Sequence, residues 1–213
     1  MDTLLPRLPM PTAPAALPLD LQCIVGGAAW GRLPAAVQRR FAAGHALAAY
    51  TGALDVHCSL AGRWFAACTR LLGGPLTGLH RDGVPATVRV FPSTCGGVVW
   101  ERHLHLDAQC TRVVRSTKLA GADGALVERT DGGIAMELDV FEEAGALVFR
   151  SRRYFVAIGR WRLPLPALLT PGTCRVEHRD LGDHRFLFTL SMDHAWWGRT
   201  FHQSGVFADP EGS

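Results

Sequence analysis

Val98-Val99-Trp100-Glu101-Arg102-His103-Leu104-His105-Leu106-Asp107 alternates apolar and polar residues along most of its length. A strand sends successive side chains to opposite faces. Val98, Trp100, Arg102, Leu104 and Leu106 therefore share one face, and Glu101, His103, His105 and Asp107 share the other. A helical stripe would recur every three to four residues, so this stretch belongs to a sheet.

The same rhythm spreads in both directions. It appears in ATVRVF (86–91), TRVVRSTKL (111–119), ALVERT (125–130), IAMELDVF (134–141) and ALVFRSRRYF (146–155). It returns in TCRVEH (173–178), HRFLFTLSMD (184–193) and RTFHQSGVF (199–207), after a proline-rich crossing, WRLPLPALLTPG (161–172). Turn clusters PSTCGG, AGADG, DGG, EEAG and DLGD separate these runs. Upstream, AAYTGALDVHCSL (48–60) adds one more alternating segment. Short strands at near-regular spacing with tight turns predict a curled antiparallel meander or barrel of about nine to ten strands. The class expected is α+β, mainly antiparallel β.

Two helices are expected before the meander is under way. Pro34 suits the first turn of AAVQRRFAAG, which puts Val37 and Phe41 on one face and stops at Gly44. LAGRWFAACTRLL (60–72) gives a stripe of Leu60, Trp64, Cys68 and Leu71, ended by Gly73-Gly74-Pro75. This second helix reads as a barrel cover, a lid or a membrane-touching face.

Composition narrows the class further. The 213 residues are 48% apolar and 19% charged, which excludes disorder. Lys plus Arg is 22 against 19 for Asp plus Glu, without a basic stripe, so nucleic acid is not an expected partner. The 23 Gly and 13 Pro suit many short elements. Six Cys form no C-x-x-C pair, which argues against zinc and for a reduced, cytoplasmic protein. Pro6, Pro9, Pro11, Pro14 and Pro18 break every early apolar run, so neither a secretory leader nor a transmembrane segment is expected. The expected organisation is a partly flexible arm at 1–29, one β-rich domain at 30–207 and a tail at 208–213.

Chemistry enters where strand parity puts polar groups on apolar faces. Arg102 lies with Trp100 and Leu104, and Glu128 with Leu126. Arg153 lies with Leu147, Phe149 and Phe155; His178 with Val176; His184 with Phe186 and Phe188. An interior charge is costly unless it is paired. Two readings stay open: Arg102 and Glu128 pair with each other, or the set lines a ligand cavity. In the second, Trp100, Arg102, Arg153 and His178 bind the ligand, an Arg taking a carboxylate or carbonyl. Glu128 or His184 would then shift protons if the site is catalytic. His103, His105 and Asp107 read as a solvated row, so no metal is expected. The Asp183-His184 and Asp193-His194 pairs look like halves of a hydrolase triad, yet no Ser sits in a nucleophile elbow.

Taken in order, LPAAVQRRF, YTGALDVH, LAGRWFAACTRLLGGP, VWERHLHL, LVERTDGG and WRLPLPALLTP resemble a bacterial family, DUF4166, over roughly 30–207. The family's Trp-x-Arg falls on Trp100 and Arg102, its Leu-x-Glu-Arg on Leu126, Glu128 and Arg129, and its proline crossing on Leu163–Leu168. His103-Leu104-His105 departs from the basic-Phe-Gly turn often found there. Members stand alone or follow Rossmann-type dehydrogenase or epimerase domains. The resemblance therefore implies a stand-alone member, with a dehydrogenase-like or epimerase-like protein as a partner. It brings no catalytic residue. The function expected is a β-barrel domain whose apolar cavity takes a small-molecule or lipid-like ligand, without a cofactor. The alternatives are a cofactor-free isomerase, cyclase or dehydratase, or a non-catalytic partner of a dehydrogenase.

Overall fold

The computed structural model describes residues 19–42, 47–72, 76–94, 96–121, 124–159 and 161–210. Most of the proline-rich arm, Gly44, Gly73-Gly74-Pro75 and the last three residues lie outside that set.

Among the described residues eleven strands follow one another, mostly with short connections. They are β1 (Ala48–Cys58), β2 (Arg81–Pro92), β3 (Val98–His105), β4 (Thr111–Ala120), β5 (Leu126–Thr130) and β6 (Ile134–Glu143). Then come β7 (Ala146–Ile158), β8 (Trp161–Pro164), β9 (Thr173–Gly182), β10 (Arg185–His194) and β11 (Gly198–Ala208). Their order is β6-β5-β4-β3-β2-β1-β11-β10-β9-β7, and β7 pairs back onto β6. Ten antiparallel strands thus close into a barrel, as the meander pattern predicts, and closure removes the unpaired edges of an open sheet.

β8 sits outside the ring. β7 is long enough to pair with β9 through Ala146–Arg150 and with β8 through Phe155–Ile158. The proline-rich crossing therefore begins as a short strand, a difference from the sequence reading. Pro164 is tolerated there because β8 is an edge strand and its last residue.

One irregularity decides which side chains face inward. Glu137 pairs with Arg153, but the next residue, Leu138, pairs with Ser151, leaving Arg152 as an extra residue on β7. Such a bulge shifts the alternation by one position. Phe149 before it and Tyr154 after it both face the interior, while Phe155 packs with Val127 and Ala135 in a separate cluster.

Helical structure starts earlier than Pro34. α1 (Leu21–Val25), α2 (Gly27–Trp30) and α3 (Ala35–Phe41) precede β1, and Asp20 caps α1 by accepting the Cys23 amide at 3.1 Å. Elements as short as α1 and α2 carry no periodic pattern to read. Leu19, Leu21, Trp30, Leu33, Val37 and Phe41 pack onto Leu126, Leu138, Leu147 and Phe149, plugging one end of the barrel.

α4 (Leu60–Cys68) lies at the other end, capped by Ser59, whose hydroxyl accepts the Gly62 amide at 3.1 Å. Its buried face is Gly62, Phe65 and Ala66, not the expected stripe: Leu60, Trp64 and Cys68 are exposed. Gly62 explains the rotation. A Cβ there would stand 2.2 Å from the Thr200 carbonyl oxygen, so the helix backs onto β11 through its glycine.

Candidate functional site

A cavity of about 130 Å³ lies inside the barrel. β3 contributes Trp100 and Arg102, β4 contributes Ser116 and Lys118, and β5 contributes Glu128. His178 of β9 and Phe188 of β10 face them across the interior.

Glu128 and Lys118 are cross-strand partners on β5 and β4, and both are buried. The Lys118 ammonium is 3.1 Å from one carboxylate oxygen, and the Ser116 hydroxyl donates to the other at 2.6 Å. Burial alone would raise the Glu128 carboxyl. Lys118, the Ser116 hydroxyl and Arg102 together outweigh it and hold the group below its usual value, so it is ionised. Lys118 also sits over the Trp100 and Phe149 rings, 5.2 and 5.4 Å from their centroids.

Arg102 is different. Among the described residues no carboxylate pairs with it; its guanidinium stands 5.9 Å from the centroid of the Phe188 ring. Of the two open readings, mutual pairing of Arg102 and Glu128 is thus not what the structure has. A smaller adjoining space of about 40 Å³ is lined by Arg102 and by Thr77, whose buried hydroxyl has no hydrogen-bond partner among the described residues.

The family model described as "Domain of unknown function (DUF4166)" matches residues 33–207, most of the chain. The chain belongs to the DUF4166 family. No curated protein and no solved structure matches it.

In this DUF4166 barrel, His178 lies fully inside, with Phe41, Phe188, Trp100 and Phe186 rings at 4.8 to 5.8 Å. Burial first, then the charges of Arg40, Lys118 and Arg102, push its imidazole well below the usual range, so it is neutral. Its Nδ1 is buried without a hydrogen-bond partner among the described residues. Cys174 is pushed up to about 12, chiefly by burial and then by Glu128, so it is a thiol rather than a nucleophile.

Four of the residues singled out by strand parity, Trp100, Arg102, Glu128 and His178, line this one cavity. Two do not. Arg153 is on the outside, 3.0 Å from Glu137, because the Arg152 bulge reverses the parity on which its inward placement rested. His184 is not on β10 but in the turn before it. Asp183 and His184 both adopt positive φ, 49° and 55°, the pair of values a two-residue hairpin turn of this hand needs. His184 is consequently exposed at a hairpin tip.

Lys118 was missed, although TRVVRSTKL carries the signal: Val114, Ser116 and Lys118 share a strand face. The His103-His105 row pairs locally, His103 with Glu101 at 2.7 Å and His105 with Thr87 and Thr111. No group of three metal-ligating side chains occurs among the described residues. Asp193 pairs with Arg199 at 3.0 Å, while His194 Nδ1 accepts the Trp196 amide at the same distance.

The neutral His178 has a measurable consequence. Unfolding frees it to take a proton below about pH 6.5, so the unfolded state binds more protons there and stability falls as the pH drops. The slope reaches about 1.4 kcal/mol per pH unit for one group. His202 is lowered too, by burial first and then Arg199, so the diagnostic is a difference. Melting curves between pH 7 and 5 should decline less steeply for His178→Phe than for the wild type; parallel declines would refute the neutral imidazole.

Proposed function

We propose that this barrel binds a small molecule or lipid-like ligand with an apolar body and one carboxylate or carbonyl group. The observation that carries the reading is the guanidinium of Arg102, without an ion-pair partner among the described residues, in a cavity walled mainly by aromatic and aliphatic side chains. Lys118 and Glu128 cancel each other and His178 is neutral, while Arg115, which also borders the cavity, is exposed, so Arg102 is the inward-facing cation left for a ligand to meet. The volume is close to the roughly 150 Å³ of an apolar cavity known to take benzene. One ring or a short stretch of acyl chain fits it, and a longer chain would run out past Leu165 and Leu169.

The enzymatic alternative draws less support. A carboxylate held low is a weak proton acceptor, and His184 lies on the surface. A dehydrogenase-like partner rests on family resemblance alone. Mass spectrometry of molecules released from gently purified protein tests the binding reading. An anionic or carbonyl amphiphile near one equivalent is expected. Empty protein that also takes up no fluorescent fatty-acid analogue would refute it.

A further inference from the structure

The two ends of the barrel are unlike. One is plugged by α1–α3 with buried side chains. At the other, α4, the 161–172 crossing and the β10–β11 turn meet. Gly62 abuts the Thr200 carbonyl, the Thr200 hydroxyl donates to Pro171 at 2.5 Å, and Phe65 lies 6.0 Å from the His194 ring.

This end carries an unusual amount of uncovered apolar surface. Of the six tryptophans, Trp30 is buried and Trp100 lines the cavity, while Trp64, Trp161, Trp196 and Trp197 are all more than half exposed. All four lie on these three connections. Leu60, Leu168 and Leu169 add to them. Tryptophan held at a surface beside leucine is the side-chain chemistry of a water–membrane boundary, where the ring is half in hydrocarbon and its N–H stays wet.

Charge points the same way. The described parts of the three connections carry Arg63, Arg70 and Arg162 and no acid, while Asp193 and Arg199, on the strands flanking the β10–β11 turn, pair with each other. The excess matches an anionic headgroup layer. The cavity opens here too: Thr69, Leu165, Thr170 and Pro171 line it, and Leu169 both lines it and is exposed.

From this juxtaposition we infer that the open end of the barrel docks onto an anionic lipid surface and admits a fatty-acid-like amphiphile from it, carboxylate first toward Arg102. The entering molecule, though not the docking, rests on the function proposed above. The Trp side chains enter the headgroup boundary, the arginines meet phosphates, and Leu169 borders the path inward. No helix among the described residues is long and apolar enough to cross a membrane.

Co-sedimentation of the full chain with vesicles of equal parts phosphatidylcholine and phosphatidylglycerol tests the docking. The protein should pellet with these vesicles with blue-shifted tryptophan emission. It should bind pure phosphatidylcholine less, and release as salt rises. Trp196→Ser with Trp197→Ser, both in an exposed turn, should cut vesicle binding at least about tenfold and leave octanoate binding from solution unchanged. Wild-type protein that stays in the supernatant overturns the docking. So does self-association in sedimentation velocity that the double variant abolishes while vesicles are ignored, since a second copy then covers the face. Vesicle binding without octanoate uptake would uphold the docking and remove the cavity reading, so the two failures are told apart.

Discussion

Glu128→Gln should lower the melting temperature by roughly 6–20 °C. The carboxylate is the only partner within salt-bridge distance of Lys118 among the described residues, and both groups are buried. Gln can still accept the Ser116 hydroxyl but leaves the ammonium uncompensated. Breaking a buried pair by removing one partner costs about 3–5 kcal/mol. For a domain of this size each kcal/mol is about 2–4 °C. Replacing both groups, as in Lys118→Met with Glu128→Met, should recover much of the loss, because no charge then stays unpaired. The pH dependence has a definite sign. With the folded carboxyl lowered, the pair contributes stability above the unfolded value and loses it as the pH falls through the folded one. A Glu128→Gln protein that melts within a degree or two of wild type would show that the pair does not anchor the wall.

Arg102→Met should do the reverse. Arg102 meets no carboxylate among the described residues, so its removal strips no ion pair, and Met fills much the same space. The expected melting temperature is unchanged or higher. Affinity for a carboxylate ligand should fall roughly tenfold to a hundredfold, the range of a charged hydrogen bond worth about 1.5–3 kcal/mol. Stability kept while binding is lost is the mark of a residue retained for its ligand rather than for the fold. Titration calorimetry with octanoate and a thermal scan read both quantities. A large drop in melting temperature with affinity unchanged would make Arg102 structural instead.

Strand period alone put Trp100, Arg102 and Glu128 on inward faces, because β3 and β5 run without a bulge against their neighbours. It failed for Arg153 because an inserted residue in β7 is visible only once β6 is laid beside it. It failed for His184 because a turn can slide by one residue when Asp and His both tolerate positive φ. For α4, apolar spacing selected Leu60 and Trp64, but contact with β11 is set by the smallest residue, Gly62. The antiparallel class and a ring of about nine to ten strands followed from alternation and turn spacing, whereas the edge strand β8 did not. The helices α1 and α2 did not, since four or five residues cannot show a period of 3.6.

The pairing of β1 with β11 has a temporal side. Thr51 finds Ala208, and Cys58 finds Phe201, so the seam joins the first strand to the last. During synthesis β1 through β10 are made before the partner that completes the ring exists. The hairpins can form locally, but β1 waits with an open edge, and pairing across such a span is slow. Until the ribosome releases the last strand, the chain is an unclosed sheet whose apolar inner face is within reach of its neighbours. Any truncation that removes β11 leaves every molecule permanently in that state.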